Sequence, residues 1–262
     1  MSKLVRPKKS LGQHFLTDLS IAEKIAQTLS SYKGMPILEV GPGMGVLTQY
    51  LLSEGHDLTV VELDTESVAY LNKNFPMLAG RIVEGDFLQM DLAKQFGKNL
   101  CVIGNYPYNI SSQIFFKVLD HKDMVPCCSG MIQKEVAERL AAKPGSKTYG
   151  ILSVLMQAWY DVEYLFTVSE HVFNPPPKVK SAVIRMTRND VTELGCNEQL
   201  FKRIVKTAFN QRRKTMRNSL KPLIEQGSSI LSQEIFNLRP EQISVAQFIE
   251  LTNEIEKHIV KP

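Results

Sequence analysis

The stretch PILEVGPGMGVLTQYLL, Pro36 to Leu52, decides the fold. An apolar run of strand length, Pro36 to Val40, ends directly in Gly41, Gly43 and Gly45, and a helical pattern opens near Val46 and runs to Ser53. Glycines at such a turn permit backbone angles and a close approach that a Cβ would block, so a nucleotide-like ligand can lie against the chain and the helix N-terminus. A dinucleotide fingerprint would place Gly or Ala where Val46 stands. The turn therefore departs from that of a nicotinamide enzyme.

Working outward, strand-length apolar runs alternate with longer amphipathic segments from about Asp18 to Met186, the pattern of a βαβ sheet with helices on both faces. The further strands predicted are Leu58 to Leu63, Arg81 to Gly85, Leu100 to Asn105 and Cys127 to Gln133. Two more, around Asp161 to Thr167 and Ser181 to Thr187, lack a long helix between them, as expected of a hairpin closing one edge of a mostly parallel sheet. Helices are predicted over Asp18 to Ser30 with Asp18 as N-cap, and over Ser111 to Leu119 with Ser111 as cap. FNPPPKVKS, Phe173 to Ser181, is read as a rigid loop, because consecutive prolines remove donors and fix an extended backbone. After about Arg188 the strand signal gives way to helical patterning at Phe201, Ile204, Val205, Ala208 and Leu220. This sets the expected boundary between an α/β domain, residues 1–188, and a small all-helical domain, residues 189–262.

Two acids follow the next strands. Glu62, about 20 residues beyond Gly41, can accept hydrogen bonds from both hydroxyls of a ribose, and Asp86 in EGDFL can accept from an adenine amino group. Gly41 and Gly43 complete the expected cofactor pocket. NYPY, Asn105 to Tyr108, ends the fourth strand and should project into the crevice beside that pocket. An exocyclic adenine nitrogen is a poor nucleophile because its lone pair is delocalised into the ring. The side-chain oxygen of Asn105 and the backbone carbonyl of Tyr106 can accept its hydrogens and so localise that lone pair. Pro107 stiffens the carbonyl and Tyr108 offers a ring for stacking, while Phe173 can supply a second face for a flipped base.

Composition excludes several classes. With 44% hydrophobic and 22% charged residues the chain is an ordinary globular protein. It shows neither a signal-peptide pattern nor an apolar run of membrane-spanning length, so a cytoplasmic protein without a membrane partner is expected. Cys101, Cys127, Cys128 and Cys196 lack metal-ligand spacing, so they are read as reduced structural thiols and no metal site is expected. The net charge of +4 is small but unevenly placed. Lys3, Arg6, Lys8 and Lys9 form one acid-free basic patch, and Lys202 to Lys221 contains no acidic residue. On a helical projection Lys206, Arg213, Arg217 and Lys221 fall close to one face, with Arg212 and Lys214 flanking it, and that face can track phosphates.

KKSLGQHFL, EVGPGMGVLT, VVELD, EGDFL, IGNYPYNISS, FNPPPKVKSAV and FNQRRKTMRNSL stand in this order along nearly the whole chain. Together they resemble the rRNA adenine N6,N6-dimethyltransferases, specifically the bacterial small-subunit group linked to kasugamycin sensitivity. The resemblance implies a class I, Rossmann-like methyltransferase fold and S-adenosylmethionine as cofactor. It also implies dimethylation of two adjacent adenosines in a hairpin near the 3′ end of 16S rRNA, during small-subunit biogenesis. Cofactor contacts are implied at His14, Leu16, Gly41, Glu62, Asp86 and Asn105. The family commonly has Asn where His14 stands and Leu where Tyr106 stands. Because Tyr106 contributes a backbone carbonyl, its side chain is expected to matter less. Two other readings stay open, a relative that methylates large-subunit rRNA and a non-catalytic RNA-binding factor on the same fold. A monomer is the default.

Overall fold

The computed structural model describes residues 7–8 and 11–259. Lys3, Arg6 and Lys9 of the N-terminal basic patch lie outside the described residues. Its strands in chain order are β1 (Phe15–Leu16), β2 (Pro36–Val40), β3 (Asp57–Glu62), β4 (Ile82–Glu84), β5 (Cys101–Asn105), β6 (Cys127–Gln133), β7 (Tyr160–Val168), β8 (Phe173–Asn174) and β9 (Ser181–Arg188). The α-helices are α1 (Leu19–Gln27), α2 (Thr48–Ser53), α3 (Thr65–Asn74), α4 (Leu92–Phe96), α5 (Ser111–Asp120), α6 (Lys134–Leu140), α7 (Ile151–Gln157), α8 (Glu198–Asn210), α9 (Met216–Leu220) and α10 (Val245–Glu256).

A seven-stranded sheet has the order β4-β3-β2-β5-β6-β9-β7. Strands β2 to β6 run parallel to their neighbours, and β9 lies antiparallel against β6, with Cys127 opposite Thr187 and Gln133 opposite Ser181. β2 is buried at every position, as a central parallel strand covered on both faces must be. Parallel neighbours need crossover connections, and α2, α3 and α5 supply them between successive parallel strands. Asp18 caps α1 by accepting from the Ser20 amide, and Asp64 caps α3 from the Glu66 amide. α5 differs from expectation: Ile110 is its N-cap, and the Ser111 hydroxyl instead donates to the Tyr108 carbonyl at 3.3 Å. The expected rigid loop contains a short strand. Phe173 and Asn174 pair antiparallel with Leu16 and Phe15, tying the N-terminal segment to the chain before β9.

The chain divides into two compact units, Met1–Ala137 with Asp161–Arg188, and Glu138–Tyr160 with Asn189–Pro262. The expected single cut after Arg188 left Glu138–Tyr160 with the sheet, and the structure corrects this. α7 buries Leu152, Val154, Leu155 and Met156 and packs against α8, while Gln157 donates to the carbonyls of Leu140 and Ala142. A discontinuous domain of this kind leaves no local signal at its outer boundaries.

α8 is amphipathic, burying Leu200, Phe201, Ile204, Val205, Ala208 and Phe209. The ring of Phe209 lies 6.1 Å from that of Tyr149 and 6.0 Å from that of Phe248 on α10, which forms the apolar centre of the second unit. Among the described residues no helix is long and apolar enough to cross a membrane.

Candidate active site

All the residues predicted for cofactor and catalysis lie in the first unit, His14 and Leu16 at β1 and the others at or just beyond the carboxyl ends of β2, β3, β4 and β5. Gly41, Gly43 and Gly45 each hold a positive φ, at 68°, 56° and 79°, which is where only glycine is unstrained. A Cβ on Gly43 would stand 3.0 Å from the Phe15 ring, and one on Gly45 would overlap the Phe75 ring at 2.3 Å. The turn is closed by backbone bonds from Gly41 to Val61 and from Gly45 to Pro42.

Glu62 is 5% exposed at the end of β3. Its two carboxylate oxygens each accept one backbone amide at 2.9 Å, from Gly43 and from Asp64. Burial raises its pKa, and these amides oppose the rise by stabilising the ionised form. Asp86 caps a single 3₁₀ turn, Phe87–Gln89, by accepting from the Leu88 amide at 2.9 Å. Lys117 on α5 holds that turn from outside. Its ammonium donates to the carbonyls of Leu88 at 3.1 Å and Met90 at 2.5 Å, and stands 5.6 Å from the centre of the Phe87 ring.

On the other side, Asn105 donates its amide to the His14 carbonyl at 3.3 Å, which leaves its side-chain oxygen as an acceptor. Tyr106 is buried. Tyr108 stacks on the His14 ring at 5.3 Å between centroids and 26° between planes, and its hydroxyl meets that of Ser181. Because the Pro175 carbonyl can only accept, His14 donates to it through Nδ1, at 2.8 Å.

His14, Leu16, Gly41, Gly43, Glu62, Asp86, Asn105, Tyr106, Pro107 and Tyr108 line one cleft of about 320 Å³. Phe173 does not. It is 4% exposed and belongs to the hydrophobic core, because β8 turns it inward opposite Leu16, so the expectation that it stacks on a base is corrected. Glu39 and Phe87 also line the cleft and were not singled out from sequence. Glu39 was legible as the acid inside EVGPGMG. Burial pushes its pKa up to about 8, against a hydrogen bond from Thr48 at 2.7 Å.

The basic candidates belong to the second unit, and the single helical face expected for them is corrected. α8 ends at Asn210, Gln211 to Lys214 form a turn, and α9 begins only at Met216. Lys206, Arg213, Arg217 and Lys221 are exposed on α8, that turn, α9 and the following 3₁₀ turn respectively. Arg212 is committed elsewhere, donating to the carbonyls of Ser146 and Lys147. The loop it holds carries two exposed cations that the sequence did not flag, Lys143 and Lys147. Lys8 of the N-terminal patch is likewise engaged, by Asp64 and by Glu66 at 3.1 Å.

The ribosomal RNA adenine dimethylase family model matches residues 5–257. A "Ribosomal RNA small subunit methyltransferase A" of Parabacteroides distasonis is 71% identical over 259 residues, covering 99% of this chain and 97% of that one. One of the same name from Flavobacterium johnsoniae is 57% identical over 253 residues, covering 96% and 97%. Among solved structures, a dimethyladenosine transferase from Plasmodium falciparum superposes with a TM-score of 0.79 at 24% identity, covering 93% of this chain and 98% of that one. The 23S rRNA methyltransferase ErmE gives 0.68 at 23%, covering 91% and 99%; at these identities the two structures speak for the Rossmann-like fold alone. With a family model spanning almost the whole sequence and relatives this similar end to end, the chain belongs to the ribosomal RNA adenine dimethylase family.

Proposed function

We propose that this protein uses S-adenosylmethionine to dimethylate the N6 amino groups of two adjacent adenosines in a hairpin near the 3′ end of 16S rRNA. The observation that carries the reading is that Gly41 and Gly43 of the glycine turn, Glu62, Asp86 and the whole of NYPY line one cleft. The residues fit an adenosyl group. A carboxylate offers about four lone-pair positions, and the two backbone amides on Glu62 leave the others for ribose hydroxyls. Asp86 offers an acceptor for the adenine amino group, Phe87 an apolar wall, and Gly41 and Gly43 the surface from which Cβ atoms are absent.

When bound, the cofactor supplies an electrophilic methyl group on a sulfonium. The chain's own residues prepare the acceptor. Asn105 Oδ1 and the Tyr106 carbonyl accept the two amino hydrogens and localise the nitrogen lone pair, and the face of Tyr108 not covered by His14 receives the base. The proton lost from nitrogen leaves to water. The second unit contributes phosphate contacts through Arg213, Arg217, Lys221 and Lys206, so that RNA shape and backbone do most of the recognition. The reading places the protein as a monomer in the cytoplasm, acting on a small subunit or its precursor.

Labelled cofactor offered with unmethylated small-subunit particles and, separately, with free 23S rRNA tests the substrate. Label should enter only the particles, as N6,N6-dimethyladenosine by mass spectrometry, and label in 23S rRNA would move the protein to the other branch of the family. Asn105→Ala should lower turnover by about 100- to 1000-fold with cofactor affinity nearly intact. Unlabelled products from the wild type itself would favour a non-catalytic role. Reversing Arg213 and Arg217 to Glu should weaken particle binding and flatten its salt dependence, leaving cofactor binding unchanged.

A further inference from the structure

The sequence treats Tyr106 as the supplier of a backbone carbonyl, yet its side chain occupies a fitted socket. The residue is 1% exposed. Its backbone amide donates to the Met131 carbonyl at 3.0 Å, and its phenol donates to the Ser129 carbonyl at 2.7 Å, with Cys128 Sγ at 3.3 Å. Phe115 packs edge-on against the ring at 5.8 Å. Two glycines make the room. A Cβ on Gly130 would meet the ring at 2.7 Å and the Gly104 carbonyl at 2.1 Å, and one on Gly104 would meet the ring at 3.1 Å and the Val40 carbonyl at 2.6 Å. The acceptor is itself held, because the Ser129 hydroxyl donates to the Ile184 carbonyl at 2.9 Å and accepts from Thr28 at 2.7 Å.

Tyr106 is thus fixed to β6 at both its amide and its phenol. The torsion left to aim its carbonyl is ψ, which the following Pro107 restricts to extended values. Burial raises the phenol's pKa and so keeps the donating proton in place. We propose that the Tyr106 side chain is a positioning residue, whose bond to Ser129 in the Gly104 and Gly130 socket sets the direction of the carbonyl that aligns the acceptor amine. This rests on NYPY being the acceptor turn. A displacement of about 1 Å at such a turn is enough to cost a reaction that depends on alignment.

Tyr106→Phe keeps the ring and removes only the donor. Its kcat should fall about 10-fold, while KM for cofactor and for small-subunit particles stays within about twofold. Placing 4-aminophenylalanine at position 106 restores a donor at the ring's end and should recover most of the lost turnover. A Tyr106→Phe protein with normal kcat and a lowered melting temperature would overturn the proposal, as would equal turnover of the Phe and aminophenylalanine proteins. Should the Phe variant not fold, the aminophenylalanine protein is compared with 4-methylphenylalanine, which is similar in size and cannot donate. Equal kcat of those two would again overturn the proposal. Asn105→Ala separates the two levels: if it is inert while Tyr106→Phe is normal, the positioning role fails alone, and if it is fully active the acceptor-turn reading itself fails.

Discussion

The two walls of the cleft are built by different means. On the β2 and β3 side the contacts are made by backbone: glycines at positive φ, amides of Gly43 and Asp64 on Glu62, and carbonyl bonds closing the turn. On the β5 side, beyond the Tyr106 amide on Met131 and the Gly104 and Gly130 socket, the contacts are made by side chains: the Tyr106 phenol on Ser129, Tyr108 on Ser181 and His14, and Asn105 on the His14 carbonyl. Backbone contacts are insensitive to side-chain replacement but cannot tolerate an added Cβ. Side-chain contacts can be adjusted one atom at a time. The β2 and β3 wall should therefore fail abruptly and the β5 wall by degrees.

The strongest way to break this contrast is Gly43→Val. A branched side chain at φ 56°, 3.0 Å from the Phe15 ring at its first carbon, combines backbone strain of about 1–3 kcal/mol with overpacking of similar size. Cofactor affinity measured by calorimetry should fall about 100-fold, because the turn must move and take its amide away from Glu62. A Gly43→Val protein that binds cofactor normally would show that the turn is not a rigid cradle.

The contrast also explains what could be read from sequence. A backbone requirement is written into the chain as a residue type, so the glycine turn and the acid ending β3 were legible, and β2 and β6 fall on their predicted ranges. NYPY was legible in place, at the end of β5, but the Tyr106 socket was not, since most of its parts come from β6, from Phe115 and from Thr28. Lys117 gave no signal because its partners are carbonyls, which every residue has. The basic face failed for a related reason. A helical projection assumes one uninterrupted helix, whereas Arg212 turns to carbonyls of a loop 65 residues earlier in the chain and α9 starts afresh.

Lys117 tests the contrast from the other direction, being a side chain whose own bonds hold the Asp86 turn beside the glycine-built wall. Lys117→Met keeps an aliphatic stem near Phe87 and removes both bonds to the Asp86 turn. Cofactor KM should rise about 5-fold with kcat at saturation unchanged, each lost bond being worth about 1 kcal/mol at most after resolvation. A fall in kcat with unchanged KM would mean that Lys117 serves the acceptor side and that the two walls are not separable.

Glu39 gives the finest distinction, because it belongs to the β2 wall but its carboxylate is matched by one hydroxyl, that of Thr48. Its pKa is raised by burial from 4.5 to about 8, so folding favours the neutral acid. A carboxyl raised in this way contributes stability that is fully present below its unfolded pKa and is lost as pH climbs through the folded value. In the cofactor-free protein Glu39→Gln, which keeps an acceptor for Thr48 and cannot ionise, should melt close to the wild type at pH 5. Between pH 5 and pH 9 the wild type should lose ground, until the variant is more stable by roughly 5 °C. Parallel melting curves across that range would mean that Glu39 keeps an ordinary acidity, with water or a neighbouring donor serving it in the way the amides serve Glu62.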